Sequence, residues 1–189
     1  MSGSVNGIPE RDWVVKLLIS SCLFLAMRLL VTGTPGVGKT AVSKELGKRL
    51  KCKVVNEMEF ALKEGIGTWD GIENELEVPV KKLENSLNRY LKKQDNVIVE
   101  GHLLCETKLK VDFAVVIRLH PEVLEVRLEN KGYRPDKIMD NVFCEGIDYC
   151  KKRLVRKYPA KKIIEVRSGK NIKETALIIT KRLKEAGLT

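Results

Sequence analysis

Very little of this chain is aromatic. Two Trp, four Tyr and four Phe among 189 residues leave scant material for a platform on which nucleic-acid bases could stack. The five cysteines, Cys22, Cys52, Cys105, Cys144 and Cys150, include no C-x-x-C pair, which argues against a zinc site. Their odd number suits a reducing, cytosolic compartment better than a disulfide framework. No N-K-x-D segment occurs, so the base-reading motif of a GTPase is missing. There is no internal repeat and no low-complexity tract. The longest apolar stretch, Trp13 to Met27, is interrupted by Lys16, Ser20 and Ser21 and is short for a membrane span. It runs into the first core segment with no small-residue cleavage site at a sensible distance. Residues 1–26 therefore read as an N-terminal extension ahead of a natural start at Met27. The alternative is an N-terminal interaction helix.

What is present points to one globular domain over residues 27–189. The hydrophobic fraction is 43% and the charged fraction 32%, and the length is enough to bury a substantial core. The formal net charge is +10. That excess fits anionic partners such as nucleotides, RNA or phosphorylated substrates, and it fits equally an ion-rich surface suited to heat.

The most informative stretch is Arg28 to Thr40, RLLVTGTPGVGKT. Leu29 to Val31 reads as a short buried strand. It enters Gly33-Thr34-Pro35-Gly36-Val37-Gly38-Lys39-Thr40, the G-x-x-x-x-G-K-S/T pattern of a phosphate-binding loop. Val42, Leu46 and Leu50 follow at the spacing of one helical face. Glycines 33, 36 and 38 let the backbone turn its N–H groups toward phosphate oxygens, and the next helix points its positive end at the same anion. Lys39 supplies a charge for the β- and γ-phosphates, and the Thr40 hydroxyl suits a Mg²⁺ ligand. A chance glycine-rich turn lacks this strand–loop–helix context.

Farther along, strands and helices alternate. Helices are expected over Lys39 to Lys51, Glu57 to Lys63, Val80 to Lys93, Pro121 to Asn130, Asp136 to Tyr158 and Ile172 to Glu185. Strands are expected over Cys52 to Asn56, Asn96 to Glu100, Val111 to Leu119 and Ile163 to Val166. The glycine-rich Gly65 to Gly71 reads as irregular. The pattern predicts an α/β fold, a five-stranded parallel sheet with helices on both faces.

Glu100 ends the third core strand, where a carboxylate can hold the Mg²⁺ shell or orient a phosphoryl acceptor. His102, two residues on, can orient water or relay a proton, or it can be a satisfied structural histidine. Arg127, Lys131 and Arg134 straddle a Gly132-Tyr133 break and can serve as a cationic lid, or as an ordinary solvated face.

Four segments go further: GTPGVGKT (33–40), TWDGIENELEVP (68–79), VIVEGH (97–102) and RLENKGYRPDKIMDNVFCEGID (127–148). In order and content they resemble the small archaeal adenylate kinases and the related eukaryotic coilin-interacting nuclear ATPase type. The resemblance covers about Met27 to Lys170. It implies a P-loop nucleoside monophosphate kinase that uses ATP, AMP and Mg²⁺. The AMP-binding segment falls at about 56–81, with Asn56 and Lys63 as AMP contacts, and a short lid at about 130–140. Gly33, Gly36, Gly38, Lys39, Thr40, Ala41, Lys131 and Lys170 are placed at ATP. Lys39, Glu100, His102 and Arg127 are placed in catalysis, with Thr40 and Glu100 at the metal. A role in small ribosomal subunit assembly and rRNA maturation, through a small-subunit ribosomal protein, is also implied. Two departures stand out: Glu100 replaces an Asp of the eukaryotic members, and Lys131 replaces the lid Arg, losing its bidentate fork.

Overall fold

Strand β1 (Arg28–Thr32) is the centre of the molecule. In the computed structural model, which describes residues 27–71, 75–169 and 171–187, it pairs in parallel with two neighbours. The order across the five-stranded sheet is β2-β5-β1-β6-β7, with β2 Lys53–Asn56, β5 Val97–Glu100, β6 Phe113–Arg118 and β7 Ile163–Arg167. All four pairings are parallel, as expected for strands connected by helical crossovers. The expected sheet is thus present. The extension at residues 1–26 lies outside the described residues.

The apolar run of each central strand feeds two cores, because successive side chains point to opposite faces. Leu29, Val31, Val115 and Ile117 join Val42, Leu46, Leu124, Leu128 and Ile179 on one side. Leu30, Val97, Val99, Ala114 and Val116 join Phe60, Leu83, Leu87, Leu104 and Leu154 on the other. The first core lies under helices α1 (Lys39–Leu50), α4 (Pro121–Glu129) and α7 (Ile172–Glu185). The second lies under α2 (Glu57–Lys63), α3 (Val80–Leu91) and α6 (Tyr149–Val155). Pro121 starts α4 at the first helical position, where its missing N–H costs nothing.

Two expectations need correction. The stretch Gly65 to Gly71 is not wholly irregular, since β3 (Thr68–Asp70) pairs antiparallel with β4 (Glu75–Glu77). Nor is Asp136 to Tyr158 one helix. It divides into α5 (Pro135–Gly146) and α6, because Asp148 adopts φ 60°, a left-handed turn that an aspartate tolerates and a helix does not.

Candidate active site

The sheet register aligns the site. Val31 of β1 and Asn56 of β2 both pair with Glu100 of β5, so three strand ends stop together at the carboxyl edge. Ligands of open parallel sheets bind outside that edge. Between β1 and α1 the phosphate loop takes a path closed to most side chains. Gly36 has φ +91°, and a Cβ there would stand 2.8 Å from both Leu124 and Leu128. Gly33 is pressed under β6, where a Cβ would stand 2.3 Å from the Ile117 carbonyl oxygen. It shapes the loop from behind rather than lining the cleft.

The cleft has a volume of about 360 Å³. Gly36, Gly38, Lys39, Thr40 and Ala41 form one wall, and Asn56, Glu57, Met58, Glu100 and His102 the other; Lys131 and Tyr133 border it. Most of the expected residues therefore come together. Lys63 is exposed at the end of α2 and is not among the lining residues. Arg127 is half-buried on α4 and also outside the lining. Lys170 lies outside the described residues.

Lys39 is largely buried, and its Nζ donates to the Thr34 carbonyl oxygen at 3.1 Å. Burial pulls the lysine below its ordinary pKa, opposed by the negative charge of Glu57 and, more weakly, by Cys150 and Glu100. Glu100 is 1% exposed. Its Oε1 accepts from Asn56 Nδ2 at 2.7 Å, while Oε2 has no hydrogen-bond partner among the described residues. Asn56 is engaged twice, because its Oδ1 also caps α2 by accepting from the Met58 and Glu59 N–H groups. A buried carboxylate oxygen without a donor, facing a loop that presents a threonine hydroxyl, suits a hard divalent cation such as Mg²⁺.

Sequence reasoning missed Glu57. This residue is 2% exposed, and its Oε1 lies 2.8 Å from His102 Nδ1. As the first residue of a helix it passes for an ordinary acid favouring the helix dipole. It also missed what stands behind the loop. The Thr34 hydroxyl donates to Glu145 Oε2 at 2.6 Å, and Glu145 Oε1 accepts from Arg118 Nε at 2.6 Å. Cys105 and Cys150 are both buried, and the Cys105 thiol donates to the His102 carbonyl oxygen at 3.2 Å.

Comparison with known proteins places the chain in a family. A family model described as an AAA domain covers residues 29–148. Three archaeal proteins bearing the name "Putative adenylate kinase" align with the chain. That of Pyrococcus furiosus is 43% identical over 122 residues, covering 65% of each chain. That of Methanocaldococcus jannaschii is 37% identical over 125 residues, covering 66% of this chain and 70% of its own. That of Methanosarcina barkeri is 32% identical, covering 82% and 85%. The chain belongs to the archaeal adenylate kinase-like family. Its match to the Pyrococcus furiosus member spans 65% of that protein's length. In fold, this family member is similar to shikimate kinase from Aquifex aeolicus, with TM-score 0.60 at 22% identity over 86% of this chain and 99% of that one. Shikimate kinase from Acinetobacter baumannii gives TM-score 0.61 at 17% identity, covering 86% and 96%. The likeness to both is one of fold.

Proposed function

We propose that this protein is a nucleoside monophosphate kinase that moves the γ-phosphoryl group of ATP to AMP, with Mg²⁺ accompanying ATP. The observation that carries the reading is the composition of the cleft. One wall is a phosphate-binding loop with Lys39 and Thr40, and the other holds a buried carboxylate, Glu100, with an unpartnered oxygen. The names of the archaeal relatives support the same class.

In this reading the backbone N–H groups of the loop and the N-terminus of α1 bind the phosphates. Lys39 leaves the Thr34 carbonyl to neutralise charge on the β- and γ-phosphates. Thr40 and Glu100 would hold Mg²⁺, which would supply further charge neutralisation. Asn56 keeps Glu100 oriented and faces the acceptor side. Lys131 and Tyr133 cover the phosphates, and Arg127 of α4 remains a proposed catalytic residue. Lys63 and Lys170 remain proposed contacts of AMP and ATP. Incubation with ATP, AMP and Mg²⁺ tests the reading by formation of ADP; folded protein that forms none refutes it.

A second reading is an ATP-driven assembly factor that engages a small-subunit ribosomal protein, with kinase activity incidental, as in the eukaryotic type that the motifs resemble. The contact of Glu57 with His102 favours it, because an anchored histidine at a phosphate cleft can handle water. That reading predicts hydrolysis without AMP and stoichiometric retention of a ribosomal protein from native lysate. Loss of either counts against it.

A further inference from the structure

Three nitrogens converge on one oxygen of Glu57. Oε1 accepts from the His102 N–H at 2.6 Å and the Leu103 N–H at 3.1 Å, and lies 2.8 Å from His102 Nδ1. Oε2 is buried with no partner among the described residues. The approach is so close that the neighbouring Gly101 has no space for a side chain; a Cβ there would stand 1.9 Å from Glu57 Cδ. The two backbone donors fix the carboxylate against the turn that carries the imidazole. The relation of Glu57 to His102 is therefore set by the fold and not by two mobile side chains meeting at a surface.

An ionised carboxylate accepts hydrogen bonds and has none to give. A neutral imidazole facing it carries its hydrogen on Nδ1, which leaves a lone pair on Nε2. The His102 side chain is 42% exposed and borders the cleft with Lys39 and Thr40. The geometry points to Glu57 as a positioning residue that holds His102 in the Nδ1–H tautomer, so that Nε2 serves as the base for water attacking the γ-phosphate of a nucleoside triphosphate. Water oxygen forms the new bond to the γ-phosphorus, and the bond from that phosphorus to the leaving diphosphate oxygen breaks. The proton of the water passes to Nε2, and the resulting imidazolium is balanced by the Glu57 carboxylate. The monophosphate acceptor needs no such base, because its phosphate oxygens are largely deprotonated near pH 7.5. Through His102, Glu57 thus acts on hydrolysis more than on transfer. The inference rests on the cleft binding a nucleoside triphosphate, but the tautomer does not depend on which acceptor is used.

The test combines ¹⁵N NMR of the imidazole nitrogens in the full chain, at a pH where His102 is neutral, with two assays. ATP hydrolysis is followed without acceptor, and ADP formation with AMP. The expected result is the Nδ1–H tautomer in the wild type and a mixture in Glu57→Gln. Hydrolysis falls by at least about tenfold in that variant, as for loss of an oriented general base, and falls further than transfer to AMP, which feels only the lost charge beside Lys39. In a His102→Ala background the same substitution has no further effect on hydrolysis. A wild-type Nε2–H tautomer, equal losses in both reactions, or full hydrolysis by Glu57→Gln would each overturn the inference. Should Glu57→Gln fail to fold by circular dichroism, the wild-type tautomer alone decides. Wild-type protein that hydrolyses ATP but phosphorylates no monophosphate refutes the kinase reading and leaves Glu57 to be judged by the tautomer and the hydrolysis comparison.

Discussion

Thr34 in the phosphate-binding loop donates its hydroxyl to Glu145 Oε2 at 2.6 Å, joining residues 111 positions apart. The same carboxylate accepts from Arg118 Nε at 2.6 Å and from the Leu119 N–H at 3.0 Å, and it is 1% exposed. Arg118 also reaches Asp148, at the break between α5 and α6, at 2.5 Å. The loop is therefore held from behind by a buried ionic cluster. Burial disfavours the Arg118 charge, but its bonds to Glu145 and Asp148 outweigh this and raise its pKa.

Removing the carboxylate at the centre of that cluster leaves the buried Thr34 hydroxyl and the Leu119 N–H without their acceptor, while Arg118 keeps Asp148 and Glu165. Glu145→Ala is expected to cost roughly 1–3 kcal/mol, the usual penalty for leaving buried donors without their acceptor. Urea unfolding measures it. A loss under about 1 kcal/mol would mean that solvent reaches the cluster.

Lys39→Met removes the positive charge nearest the transferring phosphate while keeping an unbranched side chain one atom shorter. Phosphotransfer is expected to fall by at least a hundredfold, on the order of 3 kcal/mol of transition-state stabilisation. The melting temperature should hold or rise, because a buried and desolvated ammonium is replaced by a thioether. Steady-state turnover and a thermal scan check both halves.

Gly101→Ala asks the chain to place a carbon 1.9 Å from Glu57 Cδ. Neither neighbour can yield easily, since Glu57 is buried and bound to two backbone N–H groups. The variant is expected to lose about 1–3 kcal/mol, the ordinary cost of overpacking. A melting temperature equal to that of the wild type would show that the carboxylate has another place to go.

Tyr158 gives a pH-dependent test away from the cleft. Its hydroxyl accepts from the Leu109 N–H at 2.7 Å and donates to the Leu109 carbonyl at 3.1 Å. Burial pushes its pKa from 10.0 up to about 12. The neutral phenol is the form that the fold favours, so its contribution is complete below pH 10 and is lost as the pH rises through 12. Tyr158→Phe is expected to be less stable by about 1–2 kcal/mol at neutral pH. The gap to the wild type should narrow between pH 10 and 12, as followed by urea unfolding. A gap that stays constant across that range contradicts the assignment.

The sheet was legible in the sequence because its strands carry apolar runs beside unmistakable punctuation: GTPGVGKT after β1, Glu100-Gly101 after β5 and Pro121 after β6. The hairpin of β3 and β4 was not legible. Its strands are three residues each, too short to show alternation, and Trp69 is 57% exposed where a strand residue with a core partner would be buried. The break at Asp148 was hidden because the apolar spacing continues across it, from Ile147 to Leu154. The available signal was an aspartate two residues after Gly146, a pair that favours a helix end. At the site, residues bound to the loop motif were found from their spacing. Glu57 and Glu145 were not, since their roles arise from burial against chain 45 and 27 residues distant, at His102 and Arg118.

The central claim is that the cleft passes a phosphoryl group from ATP to a nucleoside monophosphate. The most direct measurement follows ADP formation by wild-type protein with ATP and Mg²⁺, offered AMP, CMP, UMP, GMP or no acceptor. The account predicts turnover that depends on the acceptor, with AMP the fastest, and a much slower rate without one. A rate that is the same with and without every monophosphate would contradict it.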